Sequence, residues 1–215
     1  MGRDFRRLLQ GVPCWNRRTQ AIYEQHGVPL HDVVLQSRAE LALLCELIER
    51  EGVRSYLEIG VWTGRLVTAL HELFDFDRVA AADIGVVESL GLPLRLPFGV
   101  DFFHGDSHSA AFVAWRRALG PVDLVLIDGD HRYDAVRADW ELARRSPCRL
   151  IAFHDIVGDD PGSAGVRRLW RELEGDKIEL VAPNDELGQR ESTMGIGVVR
   201  GPFPRPGDLE ADWPG

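Results

Sequence analysis

The sequence is short of cysteine. It has three, Cys14, Cys45 and Cys148, far apart and with no Cys-x-x-Cys pair among them. That arrangement supports neither a disulfide framework nor a zinc knuckle, and a reducing cytoplasm is the expected compartment. Basic charge is also scarce: 25 Lys and Arg against 34 Asp and Glu leave a formal net charge of -9. Nucleic acid and anionic membranes both select for a basic footprint, so neither is the expected partner. No apolar run approaches the ~20 residues of a membrane-spanning helix. Residues 1–7 are basic but have no apolar stretch behind them, so no signal peptide is expected. Internal repeats and low-complexity segments are missing. So is the Gly-x-Gly-x-x-Gly fingerprint, which argues against a nicotinamide-dependent oxidoreductase.

What remains is ordinary for a globular protein. Of the 215 residues, 45% are hydrophobic and 27% charged, enough for one domain with a full core. The most informative stretch is Tyr56-Leu57-Glu58-Ile59-Gly60-Val61-Trp62-Thr63-Gly64. A short apolar run ends in an acid, two glycines follow four apart, and a helical pattern runs over 65–76. This reads as strand, tight turn and helix. Gly60 permits a sharp turn, and Gly64 a close approach by a ligand or a neighbouring segment.

Strands alternate with helices along most of the chain. Ser37 and Glu40 have the spacing of a capping box. Leu41, Leu44, Cys45 and Ile48 then form one apolar helical face that Gly52 terminates. A second strand is expected over 78–83, ending in Asp83, about 20 residues past the glycine turn, where βαβ units place the acid that accepts from ribose hydroxyls. Residues 84–99, broken by Gly85, Gly91, Pro93, Pro97 and Gly99, predict a loop or broken helix. A third strand over 100–104 leads into Asp106-Ser107. Here Asp106 meets a ligand, or it or Ser107 caps the helix expected over 110–119. The run over 122–127 suits a strand covered on both faces. It ends in Asp128-Gly129-Asp130-His131, and a helical stripe of Tyr133, Val136, Trp140 and Ala143 follows. A fifth strand over 149–153 ends in His154-Asp155, a further helical face holds Val166, Leu169, Trp170 and Leu173, and strands over 177–181 and 194–200 close the pattern.

The expected fold is therefore α/β, a Rossmann-like, doubly wound, seven-stranded sheet, mostly parallel with one antiparallel strand near the C-terminus. Residues 37–200 form its body. Residues 1–36, with a short helix expected over 6–10, are either a cover packed on the domain or a lid that supplies substrate contacts. Residues 201–215 read as a surface tail. Five strand ends carry polar groups, and in a doubly wound sheet all of them face one crevice.

Four stretches of that crevice resemble a known family: Leu57-Glu58-Ile59-Gly60-Val61-Trp62-Thr63-Gly64, Ala82-Asp83, the run from Asp123 through Asp128-Gly129-Asp130-His131-Arg132-Tyr133, and Ile151-Ala152-Phe153-His154-Asp155. Together they are similar to class I S-adenosylmethionine-dependent methyltransferases. The longest run is similar to the branch of catechol-type, caffeoyl-type and macrolide-sugar O-methyltransferases, many of which use a divalent metal.

The resemblance implies roles. Gly60, Trp62 and Gly64 would border the methionine part of the cofactor, and Glu58 would order the loop and its amino group. Asp83 would hold the ribose, and Asp106 with Ser107 the adenine. Asp128, His154 and Asp155 would ligate Mg²⁺ or Mn²⁺, although His154 stands where the branch usually has a carboxylate, and hard Mg²⁺ prefers oxygen. His131, three residues after Asp128, would be the general base for a hydroxyl of a small sugar or phenol of a secondary metabolite. Two alternatives stay open: a metal-independent methyltransferase acting on nitrogen or a carboxylate, and a non-catalytic cofactor-binding module. The acceptor would be set by residues 1–36, 84–99 and 183–193, and a homodimer is left open.

Overall fold

The computed structural model describes residues 2–27 and 33–203. Its centre is a seven-stranded sheet of β1 (Ser55–Ile59), β2 (Arg78–Asp83), β3 (Asp101–His104), β4 (Val122–Ile127), β5 (Cys148–His154), β6 (Asp176–Leu180) and β7 (Ile196–Arg200). The spatial order is β3-β2-β1-β4-β5-β7-β6. Pairings from β3 across to β5 are parallel, and β7 runs antiparallel to both β5 and β6. The expected architecture is the observed one.

The strands are apolar on both faces because both faces are covered. Successive side chains point to opposite sides. Leu57, Ile59, Val125, Ile127, Ile151 and Phe153 therefore join one core cluster, while Tyr56, Leu124, Leu126, Leu150 and Ala152 join the other. Helices α3 (Arg38–Glu51) and α4 (Arg65–Leu73) cover the second face; α6 (Ala110–Leu119), α7 (Tyr133–Arg145) and α8 (Ala164–Glu172) cover the first. The strand order reverses between β1 and β4, and a crevice opens there at the carboxyl ends.

Several boundaries differ from the sequence expectation. The helix expected over 65–76 stops at Leu73, because Phe74 turns extended and joins an aromatic cluster. Phe74 stacks on Phe5 with ring centroids 5.5 Å apart, and Phe76 on Tyr56 at 6.0 Å. That cluster pins the short helix α1 (Phe5–Leu8), which begins one residue before the expected one and ends in a 3-10 turn, Leu9–Gly11. A helix the sequence analysis did not anticipate, α2 (Arg17–His26), follows. Its signal was present: Asn16 accepts from the backbone of Arg18 and Thr19, and Thr19 accepts from the backbone of Asn16. Residues 84–99 hold one turn of helix, α5 (Val86–Ser89), and are otherwise irregular.

The capping box of α3 is only half made. Ser37 accepts from the backbone N–H of Glu40 at 3.2 Å, but the Glu40 carboxylate does not return to Ser37. It accepts instead from the Ser192 hydroxyl and from the Gly195 backbone N–H, across the molecule. Of the segments read as lid and tail, residues 1, 28–32 and 204–215 lie outside the described residues.

Candidate active site

The crevice holds a cavity of about 910 Å³, and all five polar strand ends line it. Glu58, Asp83, Asp106, Asp128 and Asp155 come from five different strands or the turns after them. Gly60 and Trp62 line it too, and Gly64 does not.

The glycine turn is built by backbone contacts. A Cβ on Gly60 would lie 2.4 Å from the Asp128 carbonyl oxygen and from the Gly129 Cα, so glycine lets the turns after β1 and β4 touch. A Cβ on Gly64 would lie 2.2 Å from the Arg95 carbonyl oxygen; the segment that approaches there is the chain's own 84–99 loop. Asp83 braces the same turn. Its Oδ2 accepts from the backbone N–H of Val61 at 2.9 Å and of Trp62 at 3.1 Å, and its Oδ1 from Gly85 at 2.7 Å. This bracing was not legible beforehand. It also helps hold Trp62 at φ 51, a left-handed conformation unusual for a bulky residue.

Glu58 is buried with Tyr56, whose hydroxyl donates to Oε2 at 2.5 Å. Burial pushes the Glu58 pKa up to about 8; the Tyr56 bond opposes that rise, and the charges of Asp128 and Asp83 add to it. A buried carboxylate in this state lacks a cation. Nearby, Trp62 Nε1 and Thr63 Oγ1 are buried with no hydrogen-bond partner among the described residues. Glu58, Trp62 and Thr63 all line the cavity.

At the far end, Asp106 Oδ1 accepts from the His108 backbone N–H at 2.8 Å, and the Ser107 hydroxyl donates to Asp139 at 2.7 Å. Helix capping falls to neither: Ser109 caps α6. Asp139 and His108 were missed by sequence reasoning. Asp139 sits on α7 between the apolar positions Val136 and Ala143, and is buried. His108 Nε2 lies 3.2 Å from it, and that bond raises the His108 pKa against the lowering effect of burial.

Between β4 and β5 stand two histidines and two aspartates. His131 Nε2 is 3.3 Å from Asp128 Oδ1, and His131 Nδ1 is 3.5 Å from Asp155 Oδ2. His154 Nδ1 is 3.3 Å from Asp128 Oδ1 and 3.5 Å from Asp155 Oδ1. The remaining Asp128 oxygen accepts from the Gln36 amide at 2.7 Å, and Asp155 Oδ2 also accepts from Ser163 at 2.8 Å. At Asp128, His131 and His154 burial opposes ionisation, but the opposite charges win. Asp128 is held well below the usual carboxylate range by His154 and His131, and His154 well above the usual histidine range by Asp155 and Asp128. His131 is raised as well, by Asp128 and then Asp155. Asp155 itself sits at φ 63, strained for a non-glycine residue.

His131 is placed by a residue without a side chain. A Cβ on Gly165 of α8 would lie 2.3 Å from the His131 carbonyl oxygen and 2.4 Å from the Tyr133 N. Only glycine lets α8 pack this closely on the turn that carries His131.

The expected metal ligands do converge, yet the donor set does not fit a metal ion as arranged. Every carboxylate oxygen of Asp128 and Asp155 already has a partner, and the His154 imidazole stands between the two side chains. Among the described residues, no group of three or more His, Cys, Asp or Glu side chains is arranged to hold a metal. A cavity with a cation-seeking carboxylate, unused donors beside it, and acids at the ends of β2 and β3 fits an amino-acid-bearing nucleoside.

Comparison with known proteins agrees with that chemistry. Residues 57–156 match the family described as a methyltransferase domain. That stretch runs from β1 to the turn after β5 and spans the glycine turn, Asp83, Asp106, Asp128 and His131. The chain is similar in structure to the O-methyltransferase TomG from Streptomyces achromogenes, involved in tomaymycin synthesis and solved with S-adenosylmethionine. The two share 15% identity at a TM-score of 0.55, over 91% of this chain and 95% of that one. An O-methyltransferase from Bacillus cereus bound to S-adenosylhomocysteine is similar at 19% identity and a TM-score of 0.52, over 86% and 89% of the two chains. MycE of mycinamycin biosynthesis, solved with Mg and S-adenosylhomocysteine, is similar at 18% identity and a TM-score of 0.50, over 74% of this chain and 48% of that one. No curated protein matches the chain.

Proposed function

We propose that the protein methylates a hydroxyl of a small molecule, with His131 as the general base. The observation that supports this best is the His131 imidazole at the cavity wall, between Asp128 and Asp155. Bound S-adenosylmethionine supplies a methyl carbon made electrophilic by the adjacent sulfonium. Glu58 would meet the ammonium of its methionine end, Thr63 and Trp62 would offer donors there, and Asp83, Asp106 and Ser107 would border the nucleoside. His131 would take the hydroxyl proton, leaving the oxygen pair free for the methyl group that the cofactor would supply, with the carbon–sulfur pair left on sulfur. Asp128 and Asp155 orient the imidazole and stabilise the imidazolium that results. His154 and Gln36 hold Asp128 in place. Orientation in a cavity with an apolar rim of Trp15, Val33, Val34 and Met194 contributes much of the rate. That rim and the acidic balance of the chain both favour a neutral organic acceptor over nucleic acid.

The test is transfer of an isotope-labelled methyl group from the cofactor to a panel of catechols and glycosides, beside calorimetry with S-adenosylhomocysteine. Labelled ether product from the wild type, lost in His131→Ala with cofactor affinity retained, is the expected result. A protein that fails to bind S-adenosylhomocysteine at millimolar concentration is a non-catalytic module instead. Label on nitrogen or a carboxylate replaces the acceptor class. The metal-assisted form, with Mg²⁺ or Mn²⁺ on Asp128, His154 and Asp155, would require His154 to leave its place between the two carboxylates. Chelation decides between the two forms.

A further inference from the structure

Glu40 is almost fully buried, at 1% exposure, on the first turn of α3. A carboxylate is costly in that position unless it is hydrogen-bonded. Its Oε1 accepts from the Ser192 hydroxyl and, at 3.1 Å, from the Gly195 backbone N–H. These two residues flank Met194, the one residue of the segment 184–195 that lines the cavity. The same segment lies along the residues after β5. Val157 N–H donates to the Met194 carbonyl at 2.8 Å, and Ile156 N–H to the Gly195 carbonyl at 3.4 Å. A Cβ on Gly158 would lie 2.3 Å from the Thr193 carbonyl oxygen. Met194 therefore sits between a buried carboxylate on one side and the strained Asp155 turn on the other.

We infer that Glu40 is a positioning residue for the acceptor wall: through Ser192 and Gly195 it fixes Met194 against the Asp155 turn and so sets acceptor fit without touching the cofactor. The inference rests on the reading of the cavity as a methyltransferase site. Three observations support it. The carboxylate leaves the local bond that the capping box offers, to a residue three away, for partners more than 150 residues distant. Gly195 has φ 73, a conformation that a donor on its N–H helps to fix. Gln36, at the entrance to the same helix, holds Asp128 from the other side. The start of α3 thus ties the acceptor wall and the acid–base pair to one rigid element, as a precise site requires.

Two variants of the full chain test it. Glu40→Gln keeps an oxygen that accepts both bonds; Glu40→Ala removes it. Hydrogen exchange by mass spectrometry reads the wall directly, without any acceptor. In the alanine variant, amides of 192–196 and 156–158 are expected to exchange at least about tenfold faster, with β1 and α4 unchanged, and the glutamine variant restores protection. This expectation follows from local rather than global opening. Affinity for S-adenosylhomocysteine should stay within about twofold. Methylation of a catechol probe should show KM for the probe raised about tenfold or more, with kcat less affected, the pattern of lost binding rather than lost chemistry.

Uniformly faster exchange, or protection unchanged at 192–196, overturns the inference. If the alanine variant does not fold, Ser192→Ala removes one of the two bonds and should show the same exchange pattern at smaller amplitude; no change there is equally decisive. A wild type that does not methylate the probe counts against the proposed function, while the exchange experiment still judges Glu40.

Discussion

His131 Nε2 stands 3.3 Å from Asp128 Oδ1, and the opposite nitrogen of the same ring faces Asp155 at 3.5 Å. One imidazole thus joins the end of β4 to the end of β5. As the proposed base, His131 would lose its proton reluctantly, because both carboxylates favour the charged ring. His131→Ala should lower kcat by about 10²–10⁴-fold, the usual worth of a general base, with S-adenosylhomocysteine affinity within about twofold. Single-turnover rates beside calorimetry check both halves.

The pH profile follows from the same geometry. The base must be neutral to work, and His131 is raised above its ordinary value. Activity should therefore climb through and above neutral pH, with the rising limb on the alkaline side of an ordinary histidine. Asp155→Asn removes one of the two carboxylates and should move that limb to lower pH. A profile that does not move shows that Asp155 does not act on the base.

Chelation addresses the metal directly. With His154 between the two carboxylates, dialysis against EDTA should leave methylation within about twofold, and added Mg²⁺ or Mn²⁺ should not raise it. Loss of more than about tenfold, restored by either ion, would establish the metal-assisted form; such factors are common when a metal or its supporting partner is removed.

Glu58 links stability to cofactor binding. Its folded pKa, pushed up to about 8 from 4.5, means the folded state holds a proton that the unfolded state releases. That contribution is fully present below about pH 4.5 and is lost as pH rises through about 8. Glu58→Gln removes the charge, so at pH 9 it should melt several degrees above the wild type, at about 2–4 °C per kcal/mol for a chain of this size. The same variant should bind S-adenosylhomocysteine at least about tenfold more weakly, because it lacks the carboxylate for the ammonium. Wild-type affinity should rise with pH up to about 8. Thermal melts and calorimetry across pH test the pair.

Gly165 is the cheapest residue to disturb. Gly165→Ala places a methyl 2.3 Å from the His131 carbonyl oxygen, which neither backbone can avoid without moving. Overpacking of this kind costs about 1–3 kcal/mol, and here the displaced segment carries the base. Turnover should fall at least about tenfold, while S-adenosylhomocysteine affinity, set by β1 and β2, stays close to that of the wild type.

Strand ends were the most legible part of the site. Glu58, Asp83, Asp106, Asp128 and Asp155 each close an apolar run, and a parallel sheet necessarily gathers such ends on one edge. Residues that reach the site from far away in the chain were not legible. Gln36, Glu40, Ser163 and Gly165 lie in helices, caps or turns whose local pattern explains them completely; Glu40 even has the spacing of a capping box it does not close. Asp139 was hidden in an apolar stripe, and α2 behind Pro13 and Gly27 despite the Asn16 cap.

Local sequence patterns set the layers, the order of strands and helices along the chain, and the edge at which the polar groups gather. Period-2 and period-3.6 patterns, turn glycines and strand-end acids are local features, and parallel βαβ geometry leaves little freedom in combining them. Tertiary structure alone decided what each polar group does. Asp83 spends its oxygens on the turn of β1, Glu40 crosses to the far loop, and His154 stands between Asp128 and Asp155 where a metal was expected. The reason is physical: a buried polar atom takes whichever partner geometry brings within about 3 Å, and that partner is fixed by packing between segments remote in sequence.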